Sequence, residues 1–150
     1  MGIWVLTQRQ SHKEAESAEG DPTLSLTAQE RTRARYRFRL PSGEEVLLQL
    51  PRGTVLRQGD RLGTSEGNFW VTVQAQPEPV LTVRASSPLA LLQAAYHLGN
   101  RHVPLEIRVD FLRLEPDPVL RDLLEQRGLS VTEEVVGFFP EEGAYGGHSH

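Results

Sequence analysis

Gln76-Pro77-Glu78-Pro79 lies at the middle of this 150-residue chain, and the hydrophobic period changes across it. Neither proline can donate to a strand ladder, so the segment reads as a boundary between two differently built halves. Before it, residues 4–7 read as a first strand and residues 8–21, polar and rich in Ser, Glu and Ala, as a loop. After Ala28, five arginines (Arg31, Arg33, Arg35, Arg37 and Arg39) alternate with Thr32, Ala34, Tyr36, Phe38 and Leu40. A period of two predicts a strand with Tyr36, Phe38 and Leu40 inward and the arginines outward. Ser42-Gly43 supplies a turn, and Val46, Leu48 and Leu50 form the return strand of a hairpin. Further turns at Gln58-Gly59-Asp60 and Glu66-Gly67-Asn68 flank short strands over 61–64 and 69–74. No segment before residue 76 has a helical period, so residues 1–76 are expected to form a small all-β domain.

Helical periods appear only beyond the prolines. Residues 80–84 predict a strand. Ser87 then stands as an N-cap with Pro88 at the first helical position, and Leu89, Leu92, Ala95 and Tyr96 are expected to form the buried face. Gly99 is expected to stop this helix. Two strands over 103–109 and 111–114, a second helix capped by Asp117 with Pro118 behind it, and a strand over 129–136 complete the order. That helix is expected to bury Leu120, Leu123 and Leu124 and to stop at Gly128. The order β-α-β-β-α-β is the split βαβ pattern of a ferredoxin-like domain over residues 77–137. The fold class is α+β, with residues 138–150 as a flexible tail ending His148-Ser149-His150.

Composition narrows the chemistry. The chain has no cysteine, which removes disulfides, thiolate metal sites and thiol catalysis, so any transition metal must be held by imidazole and oxygen. A formal charge of −4 disfavours a general nucleic-acid binder. No apolar run approaches membrane-spanning length, and the start of the chain lacks the basic leader and apolar core of a signal peptide, which points to the cytoplasm without a membrane partner. No phosphate-binding glycine loop precedes a helix, no serine sits in a nucleophile elbow, and the glutamate pairs at 44–45, 133–134 and 141–142 resemble surface charge. An enzyme is therefore not expected.

Histidine is what remains. His97 occupies the last turn of the first predicted helix and His102 follows its stop. Either could serve only to suit the helix dipole or cap a carbonyl. His148 and His150 lie on a glycine-rich tether, which could be an idle stub or a pair of imidazoles able to fold over an ion. Nickel(II) accepts imidazole readily and needs no thiolate. The alternating arginines are either a solvated strand face or a docking surface for an acidic partner.

Two runs carry a resemblance. Leu50-Pro51-Arg52-Gly53-Thr54-Val55-Leu56-Arg57-Gln58-Gly59-Asp60 resembles the signature of the N-terminal domain of the urease accessory protein E family. Ala95-Tyr96-His97-Leu98-Gly99-Asn100-Arg101-His102-Val103-Pro104-Leu105 resembles that of its metal-binding domain, and residues 131–134 and 142–148 resemble the family's end. The resemblance implies a homodimeric nickel metallochaperone for urease maturation, working with an accessory GTPase around the urease apoprotein. It implies Ni(II) as transported ion, with zinc or copper able to substitute. It places His102 from two copies on one ion, with His148 and His150 completing or feeding the site, and has the β domain engage a partner; beside it, the residues themselves offer His97 as an additional candidate ligand and Arg31, Arg33, Arg35, Arg37 and Arg39 as a candidate partner-binding face. Two other readings stand beside it: a metal-independent assembly factor, and a nickel buffer or sensor. Where some family members carry His-x-His between strand and helix, this chain has Glu115-Pro116-Asp117, and its tail is short in histidine, which puts additional metal sites in doubt.

Overall fold

A computed structural model describes residues 2–11 and 20–143. The chain divides into two compact units, Met1–Ala75 and Gln76–His150.

The first unit contains strands β1 (Ile3–Leu6), β2 (Gln8–Gln10), β3 (Thr23–Leu26), β4 (Arg37–Arg39), β5 (Glu45–Leu48), β6 (Arg61–Gly63) and β7 (Trp70–Ala75), with a short 3₁₀ turn at Glu30–Thr32 between β3 and β4. They form two sheets, ordered β1-β5-β4 and β2-β6-β7-β3. Leu6, Phe38, Val46 and Leu48 from the first sheet and Leu24, Leu26, Leu62, Val71 and Val73 from the second share one core.

Three expectations for this half are corrected. The loop expected from Gln8 begins instead with β2, which pairs antiparallel with β6. Its side chains carry no apolar alternation, but Thr7 N–H donates to Gly63 O at 2.9 Å and leads the chain from one sheet into the other. Backbone pairing at a polar edge leaves no periodic signal. Residues 12–19 of that expected loop lie outside the described residues. The strand Thr23–Leu26, which pairs parallel with β7, was not expected at all.

The arginine run is the third correction. Only Arg37–Arg39 is strand. Thr27 and Glu30 form a reciprocal cap, with Thr27 N–H donating to Glu30 Oε1 at 2.9 Å and Glu30 N–H to Thr27 Oγ1 at 3.3 Å. That Thr-x-x-Glu box starts a helical turn, which breaks the period of two. Arg31 is buried and donates to Leu26 O at 3.0 Å, whereas Tyr36 is exposed and lies under the Arg33 guanidinium. Arg35 reaches Leu50 O, and Arg37 and Arg39 both pair with Glu45. The five arginines do not share one outward face.

Gly63 shows how closely the second sheet is packed. A Cβ placed there would lie 2.6 Å from the Trp70 ring, which rests on the glycine while its Nε1 donates to Gly67 O. Gly63→Ala is therefore expected to lower stability by about 1–3 kcal/mol, the usual cost of overpacking a rigid ring. Chemical denaturation of the pair of proteins checks this.

The second unit contains β8 (Glu78–Arg84), α1 (Pro88–Asn100), β9 (Glu106–Ile107), β10 (Leu112–Leu114), α2 (Pro118–Gln126) and β11 (Ser130–Val136). Its sheet order is β11-β8-β10-β9 and every pairing is antiparallel, which is the expected split βαβ arrangement. β8 begins two residues earlier than expected and contains Pro79. The strand tolerates it because β10 meets β8 only at Leu81–Val83, leaving Pro79 paired on one side, to Val135. β9 is only two residues long, and the tip beyond it leaves Val109 fully exposed. Both helix starts are as expected: Ser87 Oγ accepts from Ala90 N–H, and Asp117 Oδ1 accepts from Val119 and Leu120 N–H. Among the described residues no helix is long and apolar enough to cross a membrane.

The buried face of α1 differs from the expected one. Leu91, Ala94 and Leu98 enter the core, while Leu89, Leu92 and Tyr96 are 63%, 68% and 66% exposed. Both triplets have the spacing i, i+3, i+7, so period alone does not choose between them. The helix thus packs on one apolar stripe and presents another on the opposite side. In α2 Leu124 is fully buried, Leu120 packs against the core and Leu123 is half-buried.

Candidate functional site

The end of α1 determines where His102 stands. The helix runs through Gly99 to Asn100, so Gly99 is not its stop. His102 N–H donates to Gly99 O at 3.0 Å and Val103 N–H to Leu98 O at 3.3 Å. These two bonds are those of a Schellman ending, in which the residue at C′ must turn left-handed. That residue is His102, with φ 57°, and among the described residues it is the only non-glycine with positive φ. α2 ends with the same pair of bonds, Gly128 N–H to Glu125 O and Leu129 N–H to Leu124 O, and there the turning residue is Gly128, with φ 84°. The fold places glycine at one helix end and histidine at the structurally equivalent end.

A left-handed residue with a Cβ costs roughly 1–2 kcal/mol, against glycine's extra chain entropy of roughly 0.5–1 kcal/mol. His102→Gly is accordingly expected to leave stability unchanged or raise it by up to about 1 kcal/mol, whereas Gly128→Ala should lower it by roughly 1 kcal/mol. Thermal unfolding of the two variants at matched concentration tests this. A marked loss in His102→Gly would mean that the imidazole serves the fold.

His102 is exposed, and so are Arg101 before it and the stripe Leu89, Leu92 and Tyr96 that runs along α1 toward it. The C-terminal end of a helix carries partial negative charge, a field that favours a cation there. Val103 packs against the core and Pro104 fixes φ just after, which stiffens the segment leading into β9. His97 sits in the last turn of the helix, half-buried, with its ring edge-on to Tyr96 at 5.4 Å between centroids. Among the described residues no group of three or more His, Asp or Glu side chains gathers as a metal cage. His148 and His150 lie outside the described residues. Glu115 is exposed, and Asp117 is engaged as the cap of α2.

Two features of the site were not anticipated. The left-handed turn at His102 has a sequence signal, since His102-Val103 stands after α1 as Gly128-Leu129 stands after α2. The exposed stripe has one as well, in the two apolar triplets interleaved on one helix.

An α+β chain of two units, whose ferredoxin-like half ends its first helix on an exposed, left-handed histidine, is the class that these observations define. Residues 78–150 match the C-terminal domain of the UreE urease accessory protein, and residues 5–76 match its N-terminal domain. The chain is 58% identical over 127 residues to the urease accessory protein UreE of Thermosynechococcus vestitus, covering 85% of this chain and 87% of that protein. It is 56% identical over 128 residues to the protein of the same name from Nostoc punctiforme, covering 85% and 86% of the two chains. Similarity to that of Paraburkholderia xenovorans is 54% over 130 residues, spanning 86% of this chain but 57% of that longer one. The chain belongs to the UreE urease accessory protein family.

Proposed function

We propose that this chain is a nickel carrier for urease assembly, and that two copies hold one Ni(II) ion between them through His102. The observation that carries the reading is the left-handed histidine at the end of α1, at the position that glycine holds at the end of α2. A residue kept at a conformational cost, exposed and at the favourable end of a helix for a cation, is a candidate for function.

One imidazole is too few for a selective site. A second copy supplies its equal, because a two-fold axis repeats every residue beside it. The stripe Leu89, Leu92 and Tyr96 leads along α1 toward His102 and offers an apolar surface of a kind that marks an interaction site. If the two helices meet across the C-terminal part of that stripe, near Tyr96, or run parallel about the two-fold axis, the two helix ends, and hence the two imidazoles, come together. On this reading His148 and His150 supply further, releasable ligands, which suits delivery better than a closed cage, and His97 is a reserve ligand. The other partners are the urease apoprotein and an accessory GTPase, met by the β unit. Within the arginine run, the outward residues are Arg35, Arg37 and Arg39. The setting is cytoplasmic and the role non-enzymatic.

Equilibrium dialysis of the full chain against Ni(II) tests the reading. Uptake of one ion per two chains is expected, and no stoichiometric uptake would leave a metal-independent assembly factor. Transfer of nickel to apo-urease in the presence of a chelator trap then separates a carrier from a buffer, whose metal would be lost to the trap.

A further inference from the structure

β4 is an edge strand, with β5 on one side and no strand on the other among the described residues. Leu48 N–H donates to Tyr36 O at 2.9 Å and Leu40 N–H to Glu44 O at 2.7 Å, so the even-numbered residues here turn their backbone groups toward β5. Antiparallel strands alternate in this respect, and Arg37 and Arg39 therefore direct their N–H and C=O groups out of the sheet edge. Their side chains share the outer face of the sheet, since Phe38 between them enters the core. They are 59% and 73% exposed, and Arg35, exposed as well, precedes them. Among the described residues the carboxylate paired with them is Glu45, at 3.2 Å from Arg37 and 3.5 Å from Arg39. One carboxylate thus stands against three guanidiniums along an open backbone edge.

We propose that this edge takes up an extended acidic segment of a partner protein as an added strand, with carboxylates at alternate positions opposite Arg37 and Arg39. In strand addition the backbone bonds give affinity and the side chains beside them choose the partner. Alternate residues of a strand are about 7 Å apart, and the repeat is the same in both strands. Acidic side chains two residues apart in the partner therefore meet successive arginines, at about 5 Å between Cβ atoms. The same arginines disfavour a second copy as the occupant. Pairing through its own β4 would double the surplus of positive charge at the contact, which is how charged edges are kept from joining. The proposal rests on the reading above in which the first unit meets the partner proteins, and it specifies what that unit holds and by which edge.

The test uses the full chain and a short blocked peptide of alternating threonine and glutamate. At saturation, amide hydrogen exchange should slow at least about tenfold at Arg37 and Arg39 and stay unchanged at Phe38, which faces β5. Methylating every second amide of the peptide removes the donors along one of its edges. One alternate set of methyl groups should abolish binding and the other should spare it, a difference that attraction between charges alone does not produce. The double variant Arg37→Gln with Arg39→Gln, altered only at exposed side chains, should bind the peptide at least about fivefold more weakly, because two cross-strand charge pairs are lost. Equal binding of the two methylated peptides, or unchanged exchange at Arg37 and Arg39, would overturn the proposal. So would no binding of the peptide, or uptake of phosphatidylserine vesicles in its place. If neither apo-urease nor the accessory GTPase is retained by the full chain while the peptide still pairs with β4, the partner assignment above fails and the edge stands.

Discussion

His102→Ala is expected to abolish tight nickel binding, the largest effect of any single change in this chain. In the proposed dimer two-fold symmetry would make one substitution remove two ligands, and the described residues offer no cluster of three carboxylates or imidazoles to take their place. His97, the other nearby imidazole, is half-buried against Tyr96 within the last turn of α1. Alanine at a left-handed position keeps the conformational cost of a Cβ, so the fold should survive with stability close to that of the parent. Deletion of residues 147–150 should act more weakly. On the proposed reading their net contribution is smaller than that of the paired His102 rings, because ordering ligands on binding costs free energy; a loss of roughly tenfold, about 1.4 kcal/mol, is expected. Calorimetric titration of both variants distinguishes the roles. Tight binding kept in His102→Ala and lost on tail deletion would move the site to the tail.

Leu92→Asp should produce the second largest effect, by separating the two copies. Leu92 is 68% exposed at the middle of the outward stripe of α1, so the substitution disturbs little packing within the chain. In a dimer formed across that stripe the change occurs twice. Each copy loses on the order of 1–2 kcal/mol of apolar burial, and two carboxylates are brought together away from water. Association should weaken by at least about 100-fold, or roughly 2.7 kcal/mol, and nickel affinity should fall with it, because half of each site is then missing. Sedimentation of the metal-free protein reads the first effect and titration the second. A variant that stays dimeric would place the contact elsewhere on the second unit.

The second half of the fold was largely legible because its signals are local. Ser87-Pro88 and Asp117-Pro118 mark helix starts whose side-chain bonds are present in the structure, and Gly128 marks a helix stop. The order of elements then leaves few ways to build a sheet. What failed was phase rather than period. With Leu91, Ala94 and Leu98 interleaved with Leu89, Leu92 and Tyr96, a helix with two apolar stripes gives no local indication of which faces the core. Gly99 misled for a related reason: glycine is permitted inside a helix at modest cost, and the residue that turns the chain is set by which carbonyls need partners.

The first half was less legible because its pairings are not local. β1 pairs with β5 and β3 with β7, both in parallel and with other strands between them in sequence, so no hairpin signal announces them. The arginine alternation was real in sequence yet continued past its structural limit, because the Thr27–Glu30 cap starts a turn that overrides it. His102 itself was prominent as a residue. Its conformation is set by the Schellman bonds to Gly99 and Leu98, which no single residue announces.

Native mass measurement of the protein loaded with limiting Ni(II) tests the central claim most directly. Two chains carrying one nickel ion are expected for the wild type, and two chains carrying none for His102→Ala. A single chain retaining its own ion, or a His102→Ala dimer that still holds one, would contradict a site shared between two copies at His102.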